Sequence, residues 1–497
     1  MKYVFLISFA FLSLGSASLF FTLPEQRTGM PVLYWGTHGD QVKQATIDLF
    51  YEWRKEKGLP PVEVRIDIAN SDQTKKLIQG VSGVAADFLD LYDSQTYTMQ
   101  TTGMLLDLTP YAEDYGITPE ETYESVKNYI MIDGRQYGFP RNLGATMTWF
   151  NRETLRKYGL EDPPQRWTWD EFEAFGTRFV EAANRQGGEK DRKFFIDNVN
   201  SEVLRRGLGL STYNETMTAC TLDDPRNVEV LRRIQYWNRE LRLFPTKQEA
   251  AAYASDVSGS GARFSFFDEG RYAMLNVPRW ALIMLRPRLE QRGRPFDLGV
   301  VEPAHSGYPN VQVGIGVIGV YKKTDHIEES LQFLQFLTSE RFNLLVAKSG
   351  DSLPPVPEFA FHPAYYQPPD HPEEWGLHEP FAKAAREIAI PVSISPYVVD
   401  SQIRRIQTNV SDALYAGQIT PEEAAREQAQ RINEIIQLTI SRNPRLAERY
   451  KKEVALQKKI DAYRAEGKPI PASWIKNPFH QKFYRDMGWI LNDAETE

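Results

Sequence analysis

A few histidine and acidic residues lie close together in the sequence and are the first candidates for chemistry. His371, His378 and Glu379 fall within the proline-rich segment 368–380. Zinc and related metals are bound by ligands at short, recurrent spacings, and the spacing of these residues matches no compact motif of that kind. We therefore interpret the segment as a solvated loop and predict no metal site.

Catalytic motifs are also missing from the sequence. The chain contains no Gly-x-Ser-x-Gly, no His-Glu-x-x-His and no phosphate-binding Gly-x-x-x-x-Gly-Lys-Ser/Thr. Two acidic pairs, Asp87 with Asp90 and Glu120 with Glu121, are of the type that glycoside hydrolysis uses. Among 66 acidic residues such pairs arise by chance. We predict a protein without catalytic residues or a cofactor.

Length and composition narrow the class of protein. With 497 residues the chain exceeds what one hydrophobic core usually supports, so at least two lobes are expected. The net charge of −8 argues against a nucleic-acid partner, which favours a basic face. Cys220 is the single cysteine, which excludes an intramolecular disulfide and a cysteine-based metal site.

The N-terminus indicates export from the cytoplasm. Residues 3–21 form an apolar run without charges. The small residues Ser16, Ala17 and Ser18 suit signal-peptide cleavage, whereas the length of the run approaches that of a membrane-spanning helix. We assign 1–24 as a signal peptide or an uncleaved anchor in the inner membrane, and favour the anchor.

The first third of the body reads as alternating strands and helices. Apolar and alternating patterns predict strands at 31–37, 62–68 and 87–92, and helical spacing predicts helices at 42–53 and 72–80. This order is typical of a parallel sheet with right-handed crossovers.

Such a sheet places the loops at the carboxyl ends of its strands around a crevice that binds ligands. The residues at these carboxyl ends are Trp35, Gly36, Thr37 and His38 for the first strand, and Tyr92 and Asp93 for the third. We predict that these residues line the crevice. Trp35 has two interpretations, a platform for stacking on a ligand or a core residue.

The middle of the chain forms a second lobe, and the chain crosses between the lobes more than once, as a hinge requires. Arg141 and Asn142 lie at one crossing and are candidates for hydrogen bonds to ligand hydroxyls or for hinge contacts. Gly314 and Gly316 lie in the returning strand, where they allow either close approach of a ligand to the backbone or tight packing.

Several blocks in a fixed order resemble the family 1 extracellular solute-binding proteins, the maltodextrin-binding type that serves ABC importers. The most specific blocks are Asp-Gly-Arg-Gln-Tyr-Gly-Phe-Pro at 133–140, Trp-Phe-Asn-Arg at 149–152 and Trp-Thr-Trp-Asp-Glu-Phe at 167–172. Further blocks of the resemblance are Leu33–Gly36, Ala85–Leu89, Leu105–Thr109, Phe267–Trp280, Gly316–Glu340 and Gly417–Ala424. The similarity covers roughly residues 30 to 440.

The resemblance implies an α/β periplasmic binding protein fold of type II, with two lobes joined by a hinge of several crossovers. It implies a carbohydrate ligand, an ABC permease as membrane partner and a monomeric, periplasmic protein. It also places a sugar-stacking aromatic at Trp280, next to Arg279, and both are predicted ligand contacts. Three alternatives remain: an extracytoplasmic glycoside hydrolase, a binding protein for a non-sugar solute, and a sensor subunit.

The predicted lobes are discontinuous in sequence. The first comprises 30–140 and about 313–350, and the second comprises about 141–312 with part of 351–440. Residues 441–497 form a helical C-terminal extension with twelve basic and eight acidic residues. Because its end is rich in aromatics, we expect the segment after Pro469 to pack against a lobe, whereas 445–465 forms a solvated helix leading to it.

Overall fold

The computed structural model describes residues 29–68, 72–188, 191–253, 261–293 and 297–491. The predicted N-terminal signal or anchor at 1–24 lies outside the described residues. Among the described helices, none combines the length and the apolar character that crossing a membrane requires.

Helices and short strands alternate along the chain. The strands are β1 (Val32–Gly36), β2 (Glu63–Ile66), β3 (Phe88–Tyr92), β4 (Met131–Ile132), β5 (Arg135–Gln136), β6 (Phe139–Ala145), β7 (Met147–Asn151), β8 (Phe194–Ile196), β9 (Tyr272–Val277), β10 (Leu298–Val301), β11 (Val311–Val320), β12 (Ala389–Pro391), β13 (Ile470–Pro471) and β14 (Ile490–Leu491). The α-helices are α1 (Gln41–Glu56), α2 (Gln73–Ser82), α3 (Gln95–Thr101), α4 (Lys127–Ile130), α5 (Arg152–Lys157), α6 (Trp169–Ala183), α7 (Ser201–Gly207), α8 (Pro225–Arg239), α9 (Lys247–Tyr253), α10 (Gly261–Asp268), α11 (Ala281–Arg292), α12 (Ile327–Leu337), α13 (Glu340–Ser349), α14 (Pro363–Tyr366), α15 (Glu379–Glu387), α16 (Asp400–Tyr415), α17 (Pro421–Arg442), α18 (Pro444–Ala465) and α19 (Pro478–Asp486).

The first sheet has the strand order β12-β11-β3-β1-β2, with β6 also paired to β11. Strands β1, β2 and β3 are parallel, and β11 runs antiparallel to β3 and β6. The predicted β-α-β-α-β order is thereby confirmed. One face of this sheet is covered by α1, α12 and α13, because their apolar stripes, including Phe50, Phe333 and Phe342, are fully buried against it.

The second sheet has the order β10-β7-β9-β8. Trp149 and Phe150 of β7 are buried on its two faces, as alternation along a strand requires. Helix α6 covers one face. Its start is fixed by a capping box in which Thr168 accepts from the Glu171 N–H and the Glu171 carboxylate accepts from the Thr168 N–H.

Within the described part of the chain, strands of one sheet lead directly to strands of the other at two neighbouring places. Only Thr146 separates β6 of the first sheet from β7 of the second, and residues 302–310 link β10 to β11. The predicted lobe boundary at 140/141 falls inside β6, so Arg141 and Asn142 belong to the first sheet. Two adjacent crossings of this kind are what a hinge between rigid lobes needs.

The C-terminal extension packs against the body, as predicted for its aromatic end. Phe479 is fully buried and its ring lies 6.2 Å from that of Tyr308, in an edge-to-face arrangement. The preceding helix α18 buries only Gln457 and Ile460, in agreement with the predicted solvated helix. Trp489 differs from the expectation because half of it (51%) stays exposed.

Candidate functional site

A cleft of about 980 Å³ lies between the carboxyl edge of the first sheet and the turn that joins β9 to α11. Loops after β1 and β3 supply one wall, and strands β6 and β11 supply its floor. The N-terminal half of α11 supplies the opposite wall. The site is therefore built by both sheets, beside the two crossings.

The first wall is organised by Asp90, a fully buried carboxylate in β3. Its oxygens accept hydrogen bonds from the Thr37 hydroxyl (2.8 Å), the Tyr92 hydroxyl (3.0 Å) and Arg141 Nε (3.3 Å). Burial alone would raise the pKa of Asp90, but the positive charges of Arg141 and Lys43 hold it below its ordinary value. Asp90 thus stays ionised and fixes the orientation of Tyr92 and Arg141.

Arg141 and Asn142 share a second carboxylate, Asp351. Asn142 Nδ2 donates to Asp351 Oδ2 at 2.8 Å, and Arg141 Nη1 reaches the same oxygen at 3.4 Å. The amide oxygen of Asn142 accepts from the Gly316 N–H at 3.2 Å. A Cβ at Gly316 would lie 2.6 Å from that oxygen, which explains the glycine.

Asp93 lies at the end of the same wall in a left-handed backbone conformation, with φ of 45°. Its carboxylate accepts from the Ile315 N–H at 3.2 Å. Burial raises the pKa of Asp93 to about 6. A Cβ at Gly314 would lie 3.3 Å from Oδ1 of Asp93, a contact that a small shift relieves.

The opposite wall is apolar. Trp280 is half-buried and packs edge-to-face on Phe264, with ring centroids 5.8 Å apart. Ile283 and Met284 continue this wall along α11, and Ile283 is exposed. The cleft consequently presents hydrogen-bonding groups on one side and an aromatic-aliphatic surface on the other.

The cations around the cleft are paired. Lys43 Nζ lies 2.7 Å from Asp40, and Arg286 binds both carboxylate oxygens of Glu374 at 2.7 and 2.9 Å. Arg141 lies between Asp90 and Asp351. These ion pairs favour an uncharged ligand. A charged ligand would compete for one member of a pair and leave the other member buried without a partner.

Comparison with known proteins supplies the family. Residues 39–343 match the family described as bacterial extracellular solute-binding protein. The chain belongs to this family. The family resemblance inferred from the sequence is thereby confirmed, and membership places the protein outside the cytoplasm, as predicted.

Relatives of known function are also solute-binding proteins. The chain is 23% identical over 412 residues to an arabinooligosaccharide-binding protein of Halalkalibacterium halodurans, covering 80% of this chain and 87% of the relative. An ABC substrate-binding protein from Listeria monocytogenes in complex with cycloalternan superposes with a TM-score of 0.67 at 21% identity, covering 82% and 99% of the two chains. The sugar-binding protein MalE from Xanthomonas citri gives a TM-score of 0.64 at 18% identity, covering 82% and 97%. The predicted two-lobed fold is confirmed.

Most of the predicted ligand residues of this solute-binding protein meet in the cleft. Among the described residues that line it are Tyr92, Asp93, Arg141, Asn142, Trp280, Gly314 and Gly316.

Trp35, Gly36 and Thr37 are not among the residues that line the cleft, whereas the next residue, His38, is. Trp35 is fully buried, with its ring 5.9 Å from that of Phe88 and 5.3 Å from that of Phe333. Gly36 pairs with Leu89 inside the sheet, and Thr37 is buried on Asp90. Strand β1 ends at Gly36 and the lining of the cleft begins at His38, an offset of two residues that the sequence pattern could not distinguish.

Arg279, a predicted ligand contact, is not among the residues that line the cleft. It is fully buried and donates to the carbonyls of Ala347 (2.7 Å), Asp351 (2.5 Å) and Ser352 (3.3 Å). It therefore ties the turn after β9 to the segment that carries Asp351.

The proline-rich segment is only partly the solvated loop that we predicted. His378 is fully buried, and its Nδ1 accepts from Arg279 Nε at 3.0 Å. Burial lowers the pKa of His378 to about 4. His371, Glu373 and Glu374 bring ligand atoms within 4.8 Å of one another, but the buried Glu374 is already bound by Arg286.

Lys43, Asp90 and Asp351 also belong to the site, although the sequence did not lead us to predict them there. Asp90 had a usable signal, because an acidic residue in the apolar strand Phe-Leu-Asp-Leu-Tyr needs a buried partner. Asp351 had none, since its role depends on the fold bringing the end of α13 to β6.

Proposed function

We propose that this protein is the extracytoplasmic substrate-binding subunit of an ABC importer and that its cleft binds a neutral carbohydrate. The observation that carries the proposal is the division of the cleft into two chemically different walls. A sugar ring has an apolar C–H face and a rim of hydroxyls. Trp280 and Ile283 suit the face, and Tyr92, Arg141 and Asn142 suit the hydroxyls.

The size of the cleft favours an oligosaccharide. A volume of about 980 Å³ lies at the upper end of the range for small-ligand sites, more than one sugar ring fills. An arabinooligosaccharide-binding relative and a cycloalternan complex among similar folds are consistent with this choice.

Binding is coupled to closure of the lobes in this account. A ligand that touches both walls has more contacts when the lobes approach, so it shifts the population towards the closed state. The crossings next to Thr146 and at 302–310 provide the hinge. The closed, monomeric protein then docks on the permease, and an uncleaved segment 1–24 would keep it at the inner membrane.

Isothermal titration calorimetry with arabino- and malto-oligosaccharides tests the proposal. We expect Trp280→Ala to weaken binding by about 1–3 kcal/mol, roughly 5- to 150-fold. Trp375→Ala is the matched control, because Trp375 is 52% exposed and lies outside the cleft. Product analysis of the same samples should find the sugar intact.

Two results would overturn the proposal. Affinity that is unchanged in Trp280→Ala and in Arg141→Ala would remove the cleft as the site. Shortened oligosaccharides after incubation with the purified protein would make it a glycoside hydrolase, the alternative raised by the sequence.

A further inference from the structure

The C-terminal extension encloses a second cavity, of about 830 Å³, away from the cleft between the lobes. Its body side is formed by the segment after α7 and by the loop around Glu215. Its other side is formed by α18, α19 and Trp489. The family match ends at residue 343, so this cavity depends on chain outside the matched region.

The floor of the cavity is a buried polar network centred on Glu215, which is 2% exposed. Its carboxylate accepts from the Tyr484 hydroxyl (2.5 Å), Gln457 Nε2 (2.7 Å) and Arg464 Nη1 (2.8 Å). All three donors belong to the extension. Burial of a carboxylate carries a desolvation penalty, and apolar contacts alone could attach the extension to the body without that penalty.

His480 adds a polar group without a partner. The side chain lines the cavity and is 7% exposed, and its Nδ1 has no hydrogen-bond partner among the described residues. Burial lowers the pKa of His480 to about 4, so the ring is neutral near pH 7. Buried polar atoms without partners are uncommon in folded proteins and call for an explanation.

The rim of the cavity combines an aromatic face with balanced charge. Trp489 is 51% exposed although its ring is positioned by Phe483 at 5.7 Å and by Tyr484 at 5.6 Å. Charged side chains around the cavity are three acidic and three basic: Glu215, Asp224, Asp461, Arg226, Arg464 and Lys468.

We propose that this cavity is a second carbohydrate-binding site, which takes one or two neutral sugar units stacked on Trp489. The balanced charges disfavour an anion or a cation, and the pairs Asp224–Arg226 and Glu215–Arg464, both at 2.8 Å, are already satisfied. The Trp489 ring suits the apolar face of a sugar. His480 and Asp461 offer hydrogen-bonding groups to the sugar hydroxyls.

The site is preformed because the extension is locked to the body. The ring of Phe483 packs directly on Gly209, where a Cβ would lie only 2.8 Å from the ring atom Cζ. Gly209 also has a left-handed φ of 72°, which favours glycine. Asn477 is fully buried and donates to the Tyr213 carbonyl at 2.9 Å and to the Ser211 hydroxyl at 3.1 Å.

Fluorine NMR of the full chain labelled with 5-fluorotryptophan tests the second site. The resonances of Trp489, Trp280 and Trp375 are assigned by their disappearance in the corresponding Trp→Phe variants. Trp375 is the internal control, because its exposure of 52% matches the 51% of Trp489. The probes are maltotetraose, an arabino-oligosaccharide and their monosaccharides, each up to about 20 mM to reach millimolar dissociation constants.

We expect a saturable shift of the Trp489 resonance that persists in Trp280→Ala, with Trp375 unmoved. An unmoved Trp489 resonance with every probe would overturn the second site, as would a shift that disappears in Trp280→Ala. The Trp280 resonance reports the cleft in the same spectra, so failure of the proposed function is distinguished from failure of this inference.

Discussion

Replacement of Arg279 by methionine should destabilise the protein strongly while leaving the ligand surface in place. The guanidinium makes four hydrogen bonds, three to carbonyls and one to His378, and it lies 4.4 Å from the centroid of the Tyr365 ring. At about 1 kcal/mol net for each bond, their loss lowers the free energy of unfolding by about 4 kcal/mol. Methionine fills a similar volume, so the effect comes from the lost bonds rather than from a large cavity.

Urea denaturation followed by circular dichroism measures this change, and Trp280→Ala is the neighbouring control. Trp280 is half-buried, so its truncation should cost less stability than that of Arg279 but should weaken saccharide binding. An Arg279→Met variant that keeps the wild-type urea midpoint and loses affinity would contradict this role, because Arg279 would then contact the ligand as predicted from the sequence.

Three further changes test other parts of the structure. Gly316→Ala places a Cβ 2.6 Å from the amide oxygen of Asn142 and should cost about 1–3 kcal/mol of stability and weaken binding, whereas Gly314→Ala, with its nearest contact at 3.3 Å, should cost less; calorimetry and thermal unfolding compare the two. Asp93→Asn should reduce the pH dependence of stability. The pKa of Asp93 in the folded state, about 6, exceeds the ordinary 3.8, so the folded state holds an extra proton and the free energy of unfolding falls as pH rises from about 4 to about 6. Denaturation at several pH values across that range should show a smaller change in the free energy of unfolding for the variant. Phe479→Ala empties a fully buried position and should cost about 3–5 kcal/mol and expose the extension to limited proteolysis, and resistance equal to wild type would contradict its anchoring role.

The fold could be predicted from the sequence to a large extent because the hydrophobic patterns of its strands and helices extend over many residues. Alternation in 62–68 and helical spacing in 42–53 placed β2 and α1, and the order of the motifs indicated the two lobes. The aromatic residues around Phe479 indicated a docked extension, since exposed aromatics are costly in water.

The site was harder to predict because it depends on which face a residue presents. Trp35 and Tyr92 both lie at the carboxyl-terminal ends of strands in one sheet, yet Trp35 is buried beneath α12 and Tyr92 reaches the cleft. Arg279 and Trp280 are adjacent, and the turn after β9 sends one into the core and the other to the ligand surface. The spacing of residues in the sequence does not show which way these side chains point, because their directions depend on how α11 and α13 pack.

A crystal structure of the protein with the oligosaccharide that binds most tightly in calorimetry tests the central claim most directly. We expect one sugar ring in the cleft between the two sheets, with its apolar face on Trp280 and its hydroxyls hydrogen-bonded to Arg141 or Asn142. A saccharide that occupies no part of this cleft, or that binds there without touching Trp280, would contradict it.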